Sequence, residues 1–159
     1  MRPTPDRVRE TLFNWLGQTL YGKRCLDLFA GSGALGFEAA SRGAAQVVMV
    51  EKDRAAFRAL QENCRKLGCT NVAQHWADGL EFIRQAHDQF DVIFLDPPFL
   101  SDYLHRLLPL LPGKLAPRGL VYVESGELFE PDAAWGVVKR AHAGKVHYQL
   151  LQYGSEASA

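Results

Sequence analysis

The chain has 159 residues, 47% of them hydrophobic, which fits one compact domain with one sizeable core. Eighteen Lys and Arg balance eighteen Asp and Glu, so any binding to nucleic acid has to come from a local basic patch and not from a global positive charge. The three cysteines form no CxxC pair, and the sequence shows no signal peptide and no long apolar run. We therefore expect a reduced, soluble, cytoplasmic protein that does not enter a membrane.

The first residues predict a helix. Thr4 followed by Pro5 is a typical helix start, with Thr4 as the N-cap and Pro5 in the first turn. An apolar stripe at helical spacing follows, formed by Val8, Leu12 and Leu16. We expect this face of the helix to pack against the core.

The next segments predict a β-α-β unit followed by a second helix. Residues 24–30 and 46–51 are short apolar runs, and residues 34–42 between them have helical composition. A second helix is expected from residue 53 to residue 67, and Gly68 ends it. Its predicted buried stripe consists of Phe57, Leu60, Cys64 and Leu67. Cys64, Cys69 and His75 match no common zinc spacing, so we expect no metal.

The second half of the chain continues the alternation. A weak strand at 71–76, a short helix at 80–86 and an apolar strand at 90–95 come first. A Leu-rich helix, capped by Ser101 or Asp102 and interrupted by a proline, precedes a fifth strand. That strand is predicted at 119–124.

The last segment differs from the alternating strands and helices before it, because residues 135–153 predict two strands with no helix between them. Strands that are separated by helices require right-handed crossovers and a parallel sheet covered on both faces. We therefore expect an α/β fold with seven strands, mostly parallel, and an antiparallel C-terminal hairpin at the sheet edge. Residues 1–154 would form one domain, and 155–159 a flexible tail.

A glycine-rich loop follows the first strand. Gly31, Gly33 and Gly36 form G-x-G-x-x-G at the start of a helix, the context that nucleotide-type cofactor sites require. Glu51 lies twenty residues after Gly31, at the end of the second strand, where its carboxylate can accept hydrogen bonds from both ribose hydroxyls. The pattern predicts a nucleoside-containing cofactor without saying which one. Asp78 has two interpretations of equal weight: an acceptor for the adenine amino group, or a helix cap.

A rigid turn follows the fourth predicted strand in the sequence LDPPF. Two prolines remove two backbone donors and fix two φ angles, so the chain here is stiff and cannot continue the sheet. Asp96 and Phe99 are therefore held at a strand end in a nearly fixed geometry. From these residues alone, a functional site and an ordinary turn are equally good interpretations.

The motifs DLFAGSGALG, VEKD and LDPPF, in this order and after RPTPDRVRETLFNWL, resemble the RsmD family over nearly the whole chain, through VYVES to YQLLQY. These are class I S-adenosylmethionine-dependent methyltransferases that modify the exocyclic amino group of a guanine in 16S ribosomal RNA. The resemblance implies a Rossmann-like methyltransferase sheet, S-adenosylmethionine as cofactor, and a ribosomal RNA substrate, free or within an assembling small subunit. It also implies a monomer without a metal.

The resemblance assigns roles to residues at the matching positions. Asp96 and the carbonyl of Pro97 would accept the two amino hydrogens of the target, and Phe99 would stack on the base that has swung out. The substrate would also meet Pro98, Arg7 and Thr4. The implied cofactor contacts are Asp27, Gly31, Ser32, Gly33, Glu51, Lys52, Asp78 and Gly79.

Two rival classes stay open. An amino-group methyltransferase for adenine or for a protein glutamine could use the same turn, although those relatives usually carry Asn where this chain has Asp96. An inactive binding module with the same fold would keep only part of the motifs. Members of the family usually carry a short basic extension before the segment that starts at Arg2. We expect a form with that extension to bind RNA more tightly and with a steeper salt dependence.

Overall fold

The computed structural model describes residues 4–97 and 101–154. The helices in this part of the chain are α1 (Asp6–Leu16), α2 (Ala34–Ser41), α3 (Arg54–Leu67), α4 (Gly79–Gln85) and α5 (Ser101–Leu107), with short 3-10 turns at Leu108–Leu110 and Pro112–Lys114. The strands are β1 (Arg24–Asp27), β2 (Gln46–Glu51), β3 (Val72–Trp76), β4 (Phe90–Leu95), β5 (Leu115–Ser125), β6 (Trp135–Ala143) and β7 (Val146–Tyr153). No helix within these ranges is long and apolar enough to cross a membrane.

The strands form one seven-stranded sheet in the order β3-β2-β1-β4-β5-β7-β6. The first five strands pair in parallel, whereas β7 runs antiparallel to β5 and β6 antiparallel to β7. The predicted α/β fold, with a C-terminal hairpin at the edge, is therefore confirmed. The order reverses between β1 and β4, which in such sheets is where ligands bind.

Each face of the sheet is covered by its own apolar layer. Along β4 the side chains alternate, so Ile93 and Leu95 point to one layer, and Val92 and Phe94 point to the other. The first layer is completed by α4 and α5, the second by α1, α2 and α3. Apolar residues at both alternating positions are what a parallel sheet buried on both faces requires.

Several predicted boundaries shift in the structure. Helix α1 begins at Asp6 with Pro5 at the N-cap position, so the prediction of Thr4 as the N-cap is wrong. The Thr4 hydroxyl donates instead to a carboxylate of the sheet. Helix α5 begins at Ser101, which places Asp102 inside its first turn. Strand β5 starts at Leu115, four residues earlier than predicted, with a register shift where it begins.

The apolar stripe of α3 is shorter than predicted. Leu60 and Cys64 are buried, but Leu67 is 67% exposed. The helix ends at Leu67, and Gly68 follows in the left-handed conformation that ends helices. Contact with the sheet thus stops one turn before the helix does.

Candidate functional site

A cavity of about 510 Å³ lies at the carboxyl ends of β1, β2 and β4, beside the point where the strand order reverses. Its volume falls in the range of small-molecule sites. The residues that line it are Thr4, Asp27, Phe29, Ala30, Gly31, Ser32, Ala34, Leu35, Glu51, Asp53, Ala56 and Asp96.

The glycine loop forms one wall of this cavity. Its backbone takes conformations that residues with a side chain disfavour. Gly31 and Gly33 have φ angles of 54° and 85°, in the left-handed region. Gly36 faces the sheet, and a Cβ there would come within 2.4 Å of the Met49 side chain. The loop can therefore lie directly against β2, which leaves the space above it open.

Glu51 holds this loop in place. Its carboxylate accepts a hydrogen bond from the Gly31 N–H at 2.7 Å and a second one from the Asp53 N–H at 2.8 Å. The residue is only 6% exposed, yet it lines the cavity. Each carboxylate oxygen can accept more than one hydrogen bond, so both oxygens keep capacity for a ligand.

Four acidic side chains lie on the same face of the sheet. Asp27 pairs in register with Phe94, and Asp96 follows two residues later, directly after the end of β4. Leu95 pairs with Val123, so the residues that follow this pair, Asp96 and Glu124, lie close enough for their charges to interact. Glu51 ends β2 on the same face as Asp27, the face that α1, α2 and α3 cover. A band of carboxyl groups thus follows the carboxyl edge of the sheet.

This proximity and the burial of the groups change their ionisation. Burial raises the pKa of Asp27 to about 7, and Glu51 and Glu124 add to the rise, while the Gly36 N–H, 3.2 Å from the carboxylate, opposes it. Burial also raises the pKa of Asp96 to about 8, and the neighbouring Glu124 and then Asp27 contribute. Near neutral pH the cavity therefore holds acids that are easily protonated and deprotonated.

Glu124 has partners that Asp96 lacks within the described residues. The Tyr122 hydroxyl donates to it at 2.6 Å, and the Thr4 hydroxyl donates at 3.2 Å. Burial raises the pKa of Glu124, but both hydrogen bonds stabilise its ionised form. Among the described residues, the donors therefore serve Glu124, and its ionised form is the better stabilised of the two.

The structure brings some of the predicted site residues together and leaves others apart. The cavity is lined by the predicted residues Thr4, Asp27, Gly31, Ser32, Glu51 and Asp96. Gly33, Lys52, Asp78, Gly79 and Arg7 are not among the lining residues, and Pro97 directly follows Asp96. Pro98 and Phe99 lie outside the described residues, so their predicted roles stay predictions.

Asp78 is a helix cap. Its side chain accepts from the Glu81 N–H at 3.1 Å, at the N-terminus of α4, which confirms that interpretation. The other carboxylate oxygen accepts from the Tyr103 hydroxyl at 3.3 Å. A contact of Asp78 with adenine stays a prediction, and it would have to share this second oxygen.

Sequence reasoning missed several residues of the site. Phe29, Ala30, Ala34 and Leu35 line the cavity within the loop motif itself, and Asp53 lies two residues after Glu51. These residues could have been found from their position in the motifs. Nothing in the sequence marks Glu124, which reads as the ordinary end of a strand.

The charge of the lining indicates the kind of ligand. Among the described residues that line the cavity, four are acidic, namely Asp27, Glu51, Asp53 and Asp96, and none is Lys or Arg. A cavity of this kind attracts a cation and disfavours the pyrophosphate of a dinucleotide, which would need positive partners. The arrangement suits a nucleoside that carries a positive charge.

The sheet order, the glycine loop and the acid at the end of β2 define a protein of the Rossmann-like methyltransferase class. A family model described as "Conserved hypothetical protein 95" matches residues 1–152. The chain belongs to this family, which is the RsmD family indicated by its motifs.

Individual proteins agree with this assignment. Ribosomal RNA small subunit methyltransferase D of Escherichia coli K12 is 42% identical over 157 residues, covering 96% of this chain and 79% of that protein. The structure of yhhF from Escherichia coli has a TM-score of 0.88 at 40% identity and covers 97% of this chain and 89% of its own. An RNA methyltransferase from Salinibacter ruber, solved with S-adenosyl-L-homocysteine, shares the fold with a TM-score of 0.75 at 20% identity, over 94% of this chain and 92% of its own.

Proposed function

We propose that this chain transfers a methyl group from S-adenosylmethionine to the exocyclic amino group of a guanine in small-subunit ribosomal RNA. The coarser part of this proposal, methyl transfer from S-adenosylmethionine to ribosomal RNA, follows from its family and from the relatives that carry that name. Guanine is inferred from the acid-Pro-Pro-aromatic turn at Asp96 and from the resemblance of the whole chain to that family.

The observation that carries the proposal is the acidic cavity at the carboxyl edge of the sheet. S-adenosylmethionine has a sulfonium and an ammonium group, and the part of the lining that the structure describes supplies carboxylates and no Lys or Arg. Glu51 keeps acceptor capacity for ribose hydroxyls, and the glycine loop leaves room for close approach of the backbone. The residues present therefore fit this cofactor.

Asp96 is the residue that we place against the target amine. An aromatic amine is a poor nucleophile because its lone pair is delocalised into the ring. Asp96 and the Pro97 carbonyl would accept the two amino hydrogens, favouring a pyramidal nitrogen and the positive charge that develops on it. When bound, S-adenosylmethionine supplies the electrophilic methyl group. Holding the amine in line with it contributes the remaining acceleration.

Nucleoside analysis tests this function. Small-subunit ribosomal RNA from cells that lack the protein is digested and examined by mass spectrometry, with cells that express the wild type or Asp96→Ala beside them. We expect N2-methylguanosine to decrease without the protein and to return only with the wild type. A decrease in N6-methyladenosine instead, with N2-methylguanosine unchanged, would contradict the choice of guanine.

Binding of S-adenosylmethionine is expected to release protons. The raised pKa values of Asp96, about 8, and Asp27, about 7, mean that both are largely or partly protonated at pH 7 in the free protein. A bound sulfonium favours the ionised carboxylates and so lowers their pKa. The affinity should be full above about pH 8 and should fall by about tenfold or more towards pH 6.

Titration calorimetry from pH 6 to pH 8.5, in two buffers of different ionisation enthalpy, measures both the affinity and the protons released. S-adenosylhomocysteine is the matched control, because it keeps the ammonium group but has a neutral thioether. Its affinity should change less with pH. Equal slopes for the two ligands would show that the acids of the cavity do not respond to the sulfonium charge.

A further inference from the structure

Glu124 is a buried carboxylate beside the proposed reaction centre. It lies near the end of β5, is 7% exposed, and is close to Asp96, which directly follows β4. Its β7 neighbour in register is Tyr148. Glu124 therefore lies beside Asp96, the residue that we place against the target amine, on the same face of the sheet.

The contacts of Glu124 connect two distant parts of the chain. The Thr4 hydroxyl donates to its two oxygens at 3.2 and 3.4 Å, across 120 residues of sequence. Thr4 lines the cavity and lies two residues before the start of helix α1, whose Val8 and Leu12 are fully buried. The hydrogen bond thus fixes Thr4 at the rim of the cavity that Asp96 also lines.

Tyr122, two residues earlier on β5, binds the same carboxylate. Its hydroxyl donates to Glu124 at 2.6 Å, and its ring packs in the apolar layer against Phe94. A buried acid next to another acid is unfavourable, and apolar side chains could fill this space without that repulsion. The presence of a carboxylate at position 124 is therefore better explained by its hydrogen bond to Thr4 than by packing alone.

We propose that Glu124 is a positioning residue for methyl transfer, which holds Thr4 on the rim of the cavity that Asp96 also lines. The inference rests on the proposed function. Glu124 itself does not touch the reacting atoms. Its effect runs through the Thr4 hydroxyl, so loss of either partner should slow the transfer step while the cofactor pocket around Glu51 stays intact.

The variants separate this role from a packing role. Thr4→Val removes only the hydroxyl and should lower the single-turnover rate by roughly tenfold or more, since small displacements in a reacting site are costly. Thr4→Ser keeps a donor and should restore most of the rate. Glu124→Gln keeps the shape and an acceptor oxygen and should be less impaired than Glu124→Ala. Tyr122→Phe leaves the bond to Thr4 in place and should slow transfer less than Thr4→Val.

The decisive comparison is the double variant. If Thr4 and Glu124 act through one contact, Thr4→Val combined with Glu124→Ala should be no slower than the slower single variant. The rate is measured with radiolabelled S-adenosylmethionine on unmodified small-subunit ribosomal RNA and on small subunits. Calorimetry with S-adenosylhomocysteine should show little change in affinity for any of these variants. Should Glu124→Ala fail to fold, the same cycle is run with Glu124→Gln.

Three results would overturn the inference: a wild-type rate in Thr4→Val, losses that multiply in the double variant, or Tyr122→Phe as slow as Thr4→Val. Each would mean that the Thr4–Glu124 contact does not position the transfer step. A wild-type protein that methylates neither substrate would instead contradict the proposed function. The wild-type measurement therefore distinguishes the two failures.

Discussion

Replacement of Asp96 by Ala is expected to lower the rate of methyl transfer by about 100-fold to 1,000-fold, while S-adenosylmethionine still binds. That magnitude is typical when one preorganised hydrogen-bonding group that faces developing charge is removed. Asp96 lines the cavity, and it is the acid that we place against the target amine. Asp96→Asn keeps one acceptor oxygen without the charge, so we expect it to retain more activity than Asp96→Ala.

Single-turnover transfer and calorimetric binding are measured on the same preparations. Asp88→Ala is the matched control. Asp88 is an exposed acid that precedes β4, at the end of the strand opposite to Asp96, and its carboxylate lies 3.5 Å from the Arg24 guanidinium. This control should transfer at the wild-type rate. Burial and neighbouring acids raise the pKa of Asp96 from 3.8 to about 8, so this group lowers the stability of the folded state progressively as the pH rises from about 4, and the full cost is present above about 8. Above about pH 8, Asp96→Asn should therefore resist denaturant at least as well as the wild type. A wild-type rate of methyl transfer in Asp96→Ala would disprove the role of Asp96 at the target amine.

Replacement of Glu51 by Ala is expected to weaken S-adenosylmethionine binding by about 2–4 kcal/mol, because it removes the two hydrogen bonds that we propose between the carboxylate and the ribose. This corresponds to roughly a 30-fold to 1,000-fold rise in the dissociation constant. Glu51 also accepts from the Gly31 and Asp53 N–H groups. The variant should thus also unfold at a lower denaturant concentration, because two partly buried donors lose their acceptor.

Ribose-modified ligands separate direct contact from a distorted loop. Calorimetry compares S-adenosylhomocysteine with its 2′-deoxy and 3′-deoxy analogues on the wild type and on Glu51→Ala. If Glu51 contacts the hydroxyls, each deoxy analogue binds the wild type more weakly, and this difference disappears in the variant. A difference of equal size in both proteins would assign the loss of affinity to the loop and would remove Glu51 from ribose recognition.

Local patterns in the sequence determined most of the fold. The alternation of apolar runs with helical segments predicted seven strands and the C-terminal hairpin, since side-chain periodicity and turn residues act over a few neighbouring positions. Gly31 and Glu51 were found in the same way, because a loop that lies close to a strand needs glycine, and an acid at a strand end is visible in the sequence. Errors arose where the local pattern was ambiguous, as for the start of α1 at Asp6 and for the exposed Leu67.

Tertiary structure alone decided which polar groups meet. Thr4 and Glu124 are 120 residues apart, and their contact exists only because β5 joins the sheet beside β4 while α1 packs on the same face. Asp96 is a strand-end acid in the sequence, but its pKa of about 8 depends on burial and on Glu124 and Asp27, which the register of three strands brings near. Sequence patterns report local geometry, whereas desolvation and charge interaction depend on distances that are set only when the sheet forms.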